Sequence, residues 1–288
     1  MSTNVPSGRN NPCMNLIDVQ GIQLEVTHIA APALVPSPAP TPTPHRAPIV
    51  FLHEGLGSVA MWRDWPSLVC QATGREGWVY SRRGYGRSQA VPDVRGTSTQ
   101  AQGQRSGRLP PDYMHHEAWV VLPALLNALG LVAPVLLGHS DGASIALLHA
   151  SRHPVTACIV MAPHVMVEDI SVQSIEQARV AYESGDLRER LQRYHTDVDC
   201  AFWQWNDVWL SPAFRAFDIR QDCQRITTPV LAIQGEGDPY GSMAQIDDIA
   251  LPAAQIKRVK LAGCGHSPHR DQTQATTEQV TRFLLDKA

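Results

Sequence analysis

The stretch Gly138-His139-Ser140-Asp141-Gly142 constrains this chain more tightly than any other part of it. It has the form Gly-x-Ser-x-Gly. Before it, Val135-Leu136-Leu137 is a short apolar run of the kind a buried parallel strand carries, and after it residues 143–150 read as a helix packed closely on a sheet. A strand, a sharp turn and a helix in that order form a nucleophile elbow. Its glycines leave room for a strained turn that lifts the Ser140 hydroxyl clear of the sheet. A serine between small residues is common by itself, and a plain tight turn is the competing reading of Ser140. The neighbours decide.

Such an elbow needs an acid and then a histidine further along the chain. Residues 229–234 form the next apolar run and lead into Gly235-Glu236-Gly237-Asp238-Pro239. That turn presents Asp238 at the C-terminal end of a strand, although Asp before Pro is also a common turn former. After another strand at 256–261 comes Gly263-Cys264-Gly265-His266-Ser267, a glycine-loosened loop, with His269 close behind as a rival base. With Ser140, Asp238 and His266 in this order, the chain resembles the α/β-hydrolase superfamily over nearly its whole length. The resemblance implies a Ser-Asp-His triad on a mostly parallel central sheet flanked by helices, with a helical lid. The Gly-x-Gly before the histidine matches the family's loop and favours His266 over His269.

A serine hydroxyl is a weak nucleophile until a base takes its proton during attack. His266 is the expected base, and Asp238 the group that holds its imidazole in the useful tautomer. The oxyanion needs preorganised donors. The Asp141 amide is one, because Asp141 follows the nucleophile and opens a helix. The resemblance implies Leu56 for the other, on the loop His53-Glu54-Gly55-Leu56-Gly57 that follows an apolar strand at 49–52. His53 either shapes that loop by hydrogen bonding, as the resemblance implies, or contacts substrate. Glu54 departs from the commoner His-Gly-Gly pattern. A partly buried carboxylate there needs a partner or a raised pKa, and Arg82 or Arg83 is the expected partner. The Ser140-Asp141-Gly142 turn is similar to that of valacyclovir-hydrolase-like enzymes. This implies that the Asp141 carboxylate, kept ionised by the helix dipole, binds a positive or hydrogen-bond-donating group beside the scissile carbonyl. A first-turn acid placed only for helix stability is the plainer expectation.

Bulk properties narrow the function classes. The chain has 288 residues, enough for a full core plus an inserted subdomain. A net charge of -3 gives no basic footprint for nucleic acid. No apolar run approaches the roughly 20 residues of a spanning helix, and the polar N-terminus has no secretory h-region. Six cysteines are scattered without a C-x-x-C pair, which points to reduced thiols and a cytoplasmic setting. His115 and His116 are adjacent, so they point different ways on a helix and suit a metal poorly. Neither metal nor cofactor is expected. The expected partner is a small-molecule substrate, with no nucleic acid and no membrane, and a homodimer stays open.

Residues 1–13 read as a disordered tail, 14–163 and 227–288 as the α/β core, and 164–226 as a helical lid. An N-terminal hairpin turns at Gln20-Gly21. The proline-dense 31–48 is an exposed loop insertion or, alternatively, a ligand for a proline-binding domain. Helices are expected at 60–72 and 113–129, the second ended by Gly130, with a polar surface loop at 91–111. Phe202, Trp203, Trp205, Trp209, Phe214 and Phe217 crowd the second half of the lid. Most would hold the lid together, but Trp203, Trp205 and Trp209 over a triad also predict an apolar acyl or aryl substrate. The leading expectation is a serine hydrolase of a small carboxylic ester, thioester or lactone. Carbon–carbon hydrolysis of ring-cleavage products and a slow-turnover small-ligand receptor are the alternatives.

Overall fold

A computed structural model describes residues 13–32, 46–95 and 109–285. The centres of the proline-dense stretch and of the 91–111 loop, and all of the N-terminal tail except Cys13, lie outside the described residues. Cys13 opens the first strand rather than closing a tail. The strands are β1 (Cys13–Val19), β2 (Ile22–Ile29), β3 (Ile49–Leu52), β4 (Gly77–Tyr80), β5 (Val135–His139), β6 (Ala157–Met161), β7 (Val230–Gly235) and β8 (Ile256–Leu261). They form one sheet in the order β1-β2-β4-β3-β5-β6-β7-β8. The β1–β2 and β2–β4 pairs are antiparallel and every other pair is parallel. Gln20 and Gly21, both at positive φ (55° and 82°), close the β1–β2 hairpin in the two-residue turn that matches strand twist. β3, β5, β6 and β7 are buried along their whole length, which is why each reads as an apolar run without alternation.

Helices cover both faces. On one face, α1 (Trp65–Thr73) packs with the C-terminal helix; a 3-10 turn at Ala60–Trp62 precedes it. The expected single helix at 60–72 is broken there because Arg63 adopts φ 55°. On the other face lie α2 (Tyr113–His116), a π-helical turn (Glu117–Val121), α3 (Leu122–Ala128) and α4 (Asp141–Ala150). The π turn sits just before Pro123, whose missing N–H cannot join an ordinary ladder, and Gly130 at φ 68° ends the run. Between β6 and β7 the named elements are helical: α5 (Asp169–Ser184), α6 (Leu187–Gln192), α7 (Val198–Trp209) and α8 (Arg220–Cys223). Asp197 caps α7 by accepting the Cys200 N–H at 2.8 Å. After β7 come α9 (Ala244–Asp247), α10 (Pro268–Asp271) and α11 (Thr273–Leu285), and α11 closes the α1 face.

The elbow depends on how closely α4 approaches the sheet. Every residue of α4 is buried, and Ser140 at its mouth has φ 53° and ψ -120°. A β-carbon on Gly138 would run into the Gly142 carbonyl oxygen, and one on Gly142 into the Leu52 carbonyl oxygen. Both obstacles are backbone, so neither can swing aside. Gly142→Ala should therefore cost about 1–3 kcal/mol of stability or more, read as a lower Tm in a thermal melt. An unchanged Tm would mean that α4 sits further from β3 than described.

Candidate active site

Asp238 follows β7 and His266 follows β8, so both stand at C-terminal ends of parallel strands, on the same edge as Ser140 after β5. His266 Nδ1 is 2.9 and 2.8 Å from the two Asp238 carboxylate oxygens. A carboxylate only accepts, so Nδ1 carries the hydrogen and Nε2 is left as a base. Asp238 also accepts from the Gln234 amide at 2.9 Å and the Tyr240 N–H at 2.8 Å. Burial tends to raise its pKa, but His266 first and then the Tyr240 N–H hold it below the ordinary carboxylate value. Ser140 and His266 line one cavity of about 220 Å³, together with Glu54, Leu56, Asp141 and His164. His269 sits elsewhere. It is 2% exposed, wedged 5.0 and 5.2 Å from the Trp62 and Trp65 rings, and makes no contact with Asp238.

His53 is a framework residue. Its Nε2 accepts the Arg82 N–H at 3.0 Å, so its Nδ1 carries the hydrogen and donates to the Glu54 carbonyl at 2.6 Å. Burial, with Arg82 adding to it, keeps its pKa well below the usual histidine value. The Arg82 guanidinium donates to the His53 and Glu54 carbonyls at 2.6 and 3.1 Å. From the opposite side His195 accepts the Gly86 N–H at 2.9 Å and donates to the Leu56 carbonyl at 3.0 Å. The loop carrying Leu56 is thus clamped by two histidines and an arginine.

The Glu54 carboxylate finds neither Arg82 nor Arg83. Arg270 donates to it at 3.1 Å, and His139 Nδ1 stands 3.5 Å from its other oxygen. Burial alone would raise its pKa, yet His139 and then Arg270 hold it well below the usual carboxylate range. The other nitrogen of His139 donates to the His266 carbonyl at 2.7 Å. Asp141 also departs from expectation. It is 1% exposed rather than lying at a solvated helix end. One oxygen accepts from the Tyr113 hydroxyl at 2.5 Å and lies 3.8 Å from Arg82, while the other has no hydrogen-bond partner. Burial raises its pKa against the pull of Arg82, so the helix dipole does not set its charge alone.

Trp205 and Trp209 line the cavity, with Ile175 from α5. Trp203 does not. It lies under the Arg95 guanidinium, 3.5 Å from ring to charge, and edge-on to Phe202. Helical spacing carries this signal: 205 and 209 are one turn apart and share a face, whereas 203 is offset by two residues. His164 is a site residue the sequence did not single out. It lines the cavity at the end of β6, 5.9 Å from the His266 ring and 4.8 Å from Trp209. Among the described residues no three His, Cys, Asp or Glu side chains converge in a way that would hold a metal ion.

Burial lowers His53 and four further histidines far below the ordinary value, His164 to about 3, His149 and His195 to about 4, and His269 to about 2. An unfolded histidine takes up a proton near pH 6.5, and these do not until those lower values. Between the two the unfolded state binds more protons, so stability falls as pH falls, by up to about 1.4 kcal/mol per histidine per pH unit. Asp238, with its lowered pKa, adds a further loss below about pH 4. Urea midpoints should therefore be level above about pH 6.5 and drop steadily toward pH 4. Equal midpoints at pH 7 and pH 5 would show that these rings are protonated in the folded state.

Comparison with known proteins agrees with the fold. The chain is 28% identical over 268 residues to the sn-1-specific diacylglycerol lipase ABHD11 of Mus musculus, covering 82% of this chain and 80% of that one. A proline iminopeptidase of Mycobacterium smegmatis superposes with a TM-score of 0.66 at 16% identity, covering 96% and 98% of the two chains. An enol-lactonase of Burkholderia xenovorans LB400 gives 0.66 at 18% identity, covering 93% and 98%. A thermophilic esterase of Thermogutta terrifontis gives 0.65 at 16%, covering 96% and 99%. At such identities the structural likeness speaks for the fold. Residues 49–279 match the Alpha/beta hydrolase family, and this protein belongs to that family.

Proposed function

We propose that this protein is a serine hydrolase that cleaves a small, apolar or aromatic carboxylic ester, thioester or lactone through an acyl-enzyme on Ser140. One observation carries the reading: the bidentate contact of Asp238 with His266 Nδ1, beside a strained Ser140 on the same cavity. His266 Nε2 takes the Ser140 proton as Oγ attacks the carbonyl, and returns it to the leaving group as that bond breaks. Water, deprotonated by the same nitrogen, then attacks the acyl carbon and releases the acid. The Leu56 and Asp141 amides serve the tetrahedral oxyanion. Asp141 opens α4, where the first N–H groups have no partner within the helix.

The segment between β6 and β7 acts as the lid, with Trp205, Trp209 and Ile175 giving the acyl group an apolar wall. The named activities of the mouse lipase, the esterase and the lactonase all break an acyl–oxygen bond, which supports the same bond here. A cytoplasmic setting fits the buried free cysteines Cys70, Cys158, Cys200, Cys223 and Cys264, and among the described residues no helix is long and apolar enough to cross a membrane.

Ser140→Ala should abolish fluorophosphonate labelling and lower p-nitrophenyl ester turnover by roughly 10⁴-fold or more, with an unchanged melt. His266→Ala should be as damaging, and His269→Ala should act through stability alone. An active Ser140→Ala protein, or a dead but well-folded His269→Ala, would sink the assignment. Cleavage of a ring-cleavage dienoate without ester turnover would move the reading to carbon–carbon hydrolysis, and labelling without any turnover would move it to a receptor.

A further inference from the structure

A second cavity, of about 390 Å³, shares no lining residue with the catalytic one. Arg82 and Tyr113 line it and reach Asp141 of the catalytic cavity, so they stand between the two. Val19, Ile22 and Leu24 of the β1–β2 hairpin, with Val91 and Val121, give it a mostly apolar surface. A concave apolar space of this size with a few polar groups converging on it is the usual form of a small-molecule site.

The charges around it do not balance. Glu117 is on its wall and Asp141 lies just behind Tyr113. Both acids answer to Arg82. That guanidinium lies 3.8 Å from Asp141, and its charge works against the rise that burial imposes on the Glu117 pKa. Arg83 lines the same cavity, half-buried, and has no such partner. Its Nε is buried without a hydrogen bond, and among the described residues no acid pairs with its guanidinium. Gln204 reaches Arg83 but donates to its backbone carbonyl, at 3.2 Å. His116, also on the wall, brings no negative charge. A cation drawn out of water without an anion is costly, and the planar fork of a guanidinium matches a carboxylate.

We propose that this second cavity binds a small apolar carboxylate, an alkanoate or arylalkanoate, with its hydrocarbon against the hairpin side chains and its carboxylate on Arg83. The site is separate from the catalytic cavity and does not depend on the hydrolase reading. The unpaired guanidinium sets the head group, because a neutral ligand would leave Arg83 as it stands. The apolar lining sets the body, because a bare inorganic anion would leave that surface uncovered.

Titration calorimetry on the full chain tests this with 4-phenylbutanoate and its neutral counterpart, 4-phenylbutanamide. The wild-type protein should bind the carboxylate about 10-fold or more tightly than the amide, the worth of a hydrogen bond to a charged group. Arg83→Gln should weaken the carboxylate by about 10-fold or more and leave the amide nearly unchanged. Arg83→Lys, which keeps the charge but not the fork, should recover part of the loss. Val121→Trp, which fills the cavity, should weaken both ligands, and thermal melts establish that each variant is folded. No binding to the wild-type protein overturns the proposal, as does equal affinity for acid and amide. Carboxylate binding that survives Arg83→Gln overturns it too, because the ligand then sits elsewhere, the catalytic cavity included.

Discussion

The site depends first on the closeness of helix to sheet at the elbow. Ser140 can hold a backbone conformation that costs energy for any residue but glycine only because the surrounding structure over-determines it. The over-determination is local and mutual. Gly138 and Gly142 let α4 settle onto the ends of β3 and β5, and a helix buried on every residue cannot retreat. The Ser140 N–H is meanwhile fixed to the Met161 carbonyl at 2.9 Å, tying the elbow to the neighbouring strand. Strain at one residue is supported by packing over ten.

Around that point two histidine rings are set by hydrogen bonds that leave little choice of tautomer. Nδ1 of His53 and Nε2 of His195 face carbonyl oxygens, and their other nitrogens face backbone N–H groups. Each ring therefore has one tautomer that satisfies both partners, and burial keeps it neutral. A ring fixed in this way positions the loop it touches without bringing a charge to it. His139 works differently. It links Glu54 on the Leu56 loop to the backbone of His266, so the Leu56 loop, the elbow and the His266 loop share one contact chain.

How much of this was legible in the sequence follows from how local each signal is. The elbow, the acid after β7 and the histidine after β8 are each written within a few residues of the strand that positions them. The buried strands announce themselves as apolar runs. The partner of Glu54 could not be read in that way. Arg270 lies 216 residues away, whereas the nearer Arg82 turns out to hold backbone carbonyls. His164 gave no motif because its place depends on the end of β6, where Ala162 takes φ 48° just before Pro163. Trp203 was legible and misread, since its offset from Trp205 and Trp209 on α7 puts it on another face. The break in the 60–72 helix rests on one left-handed residue, Arg63, whose side chain does not advertise that conformation.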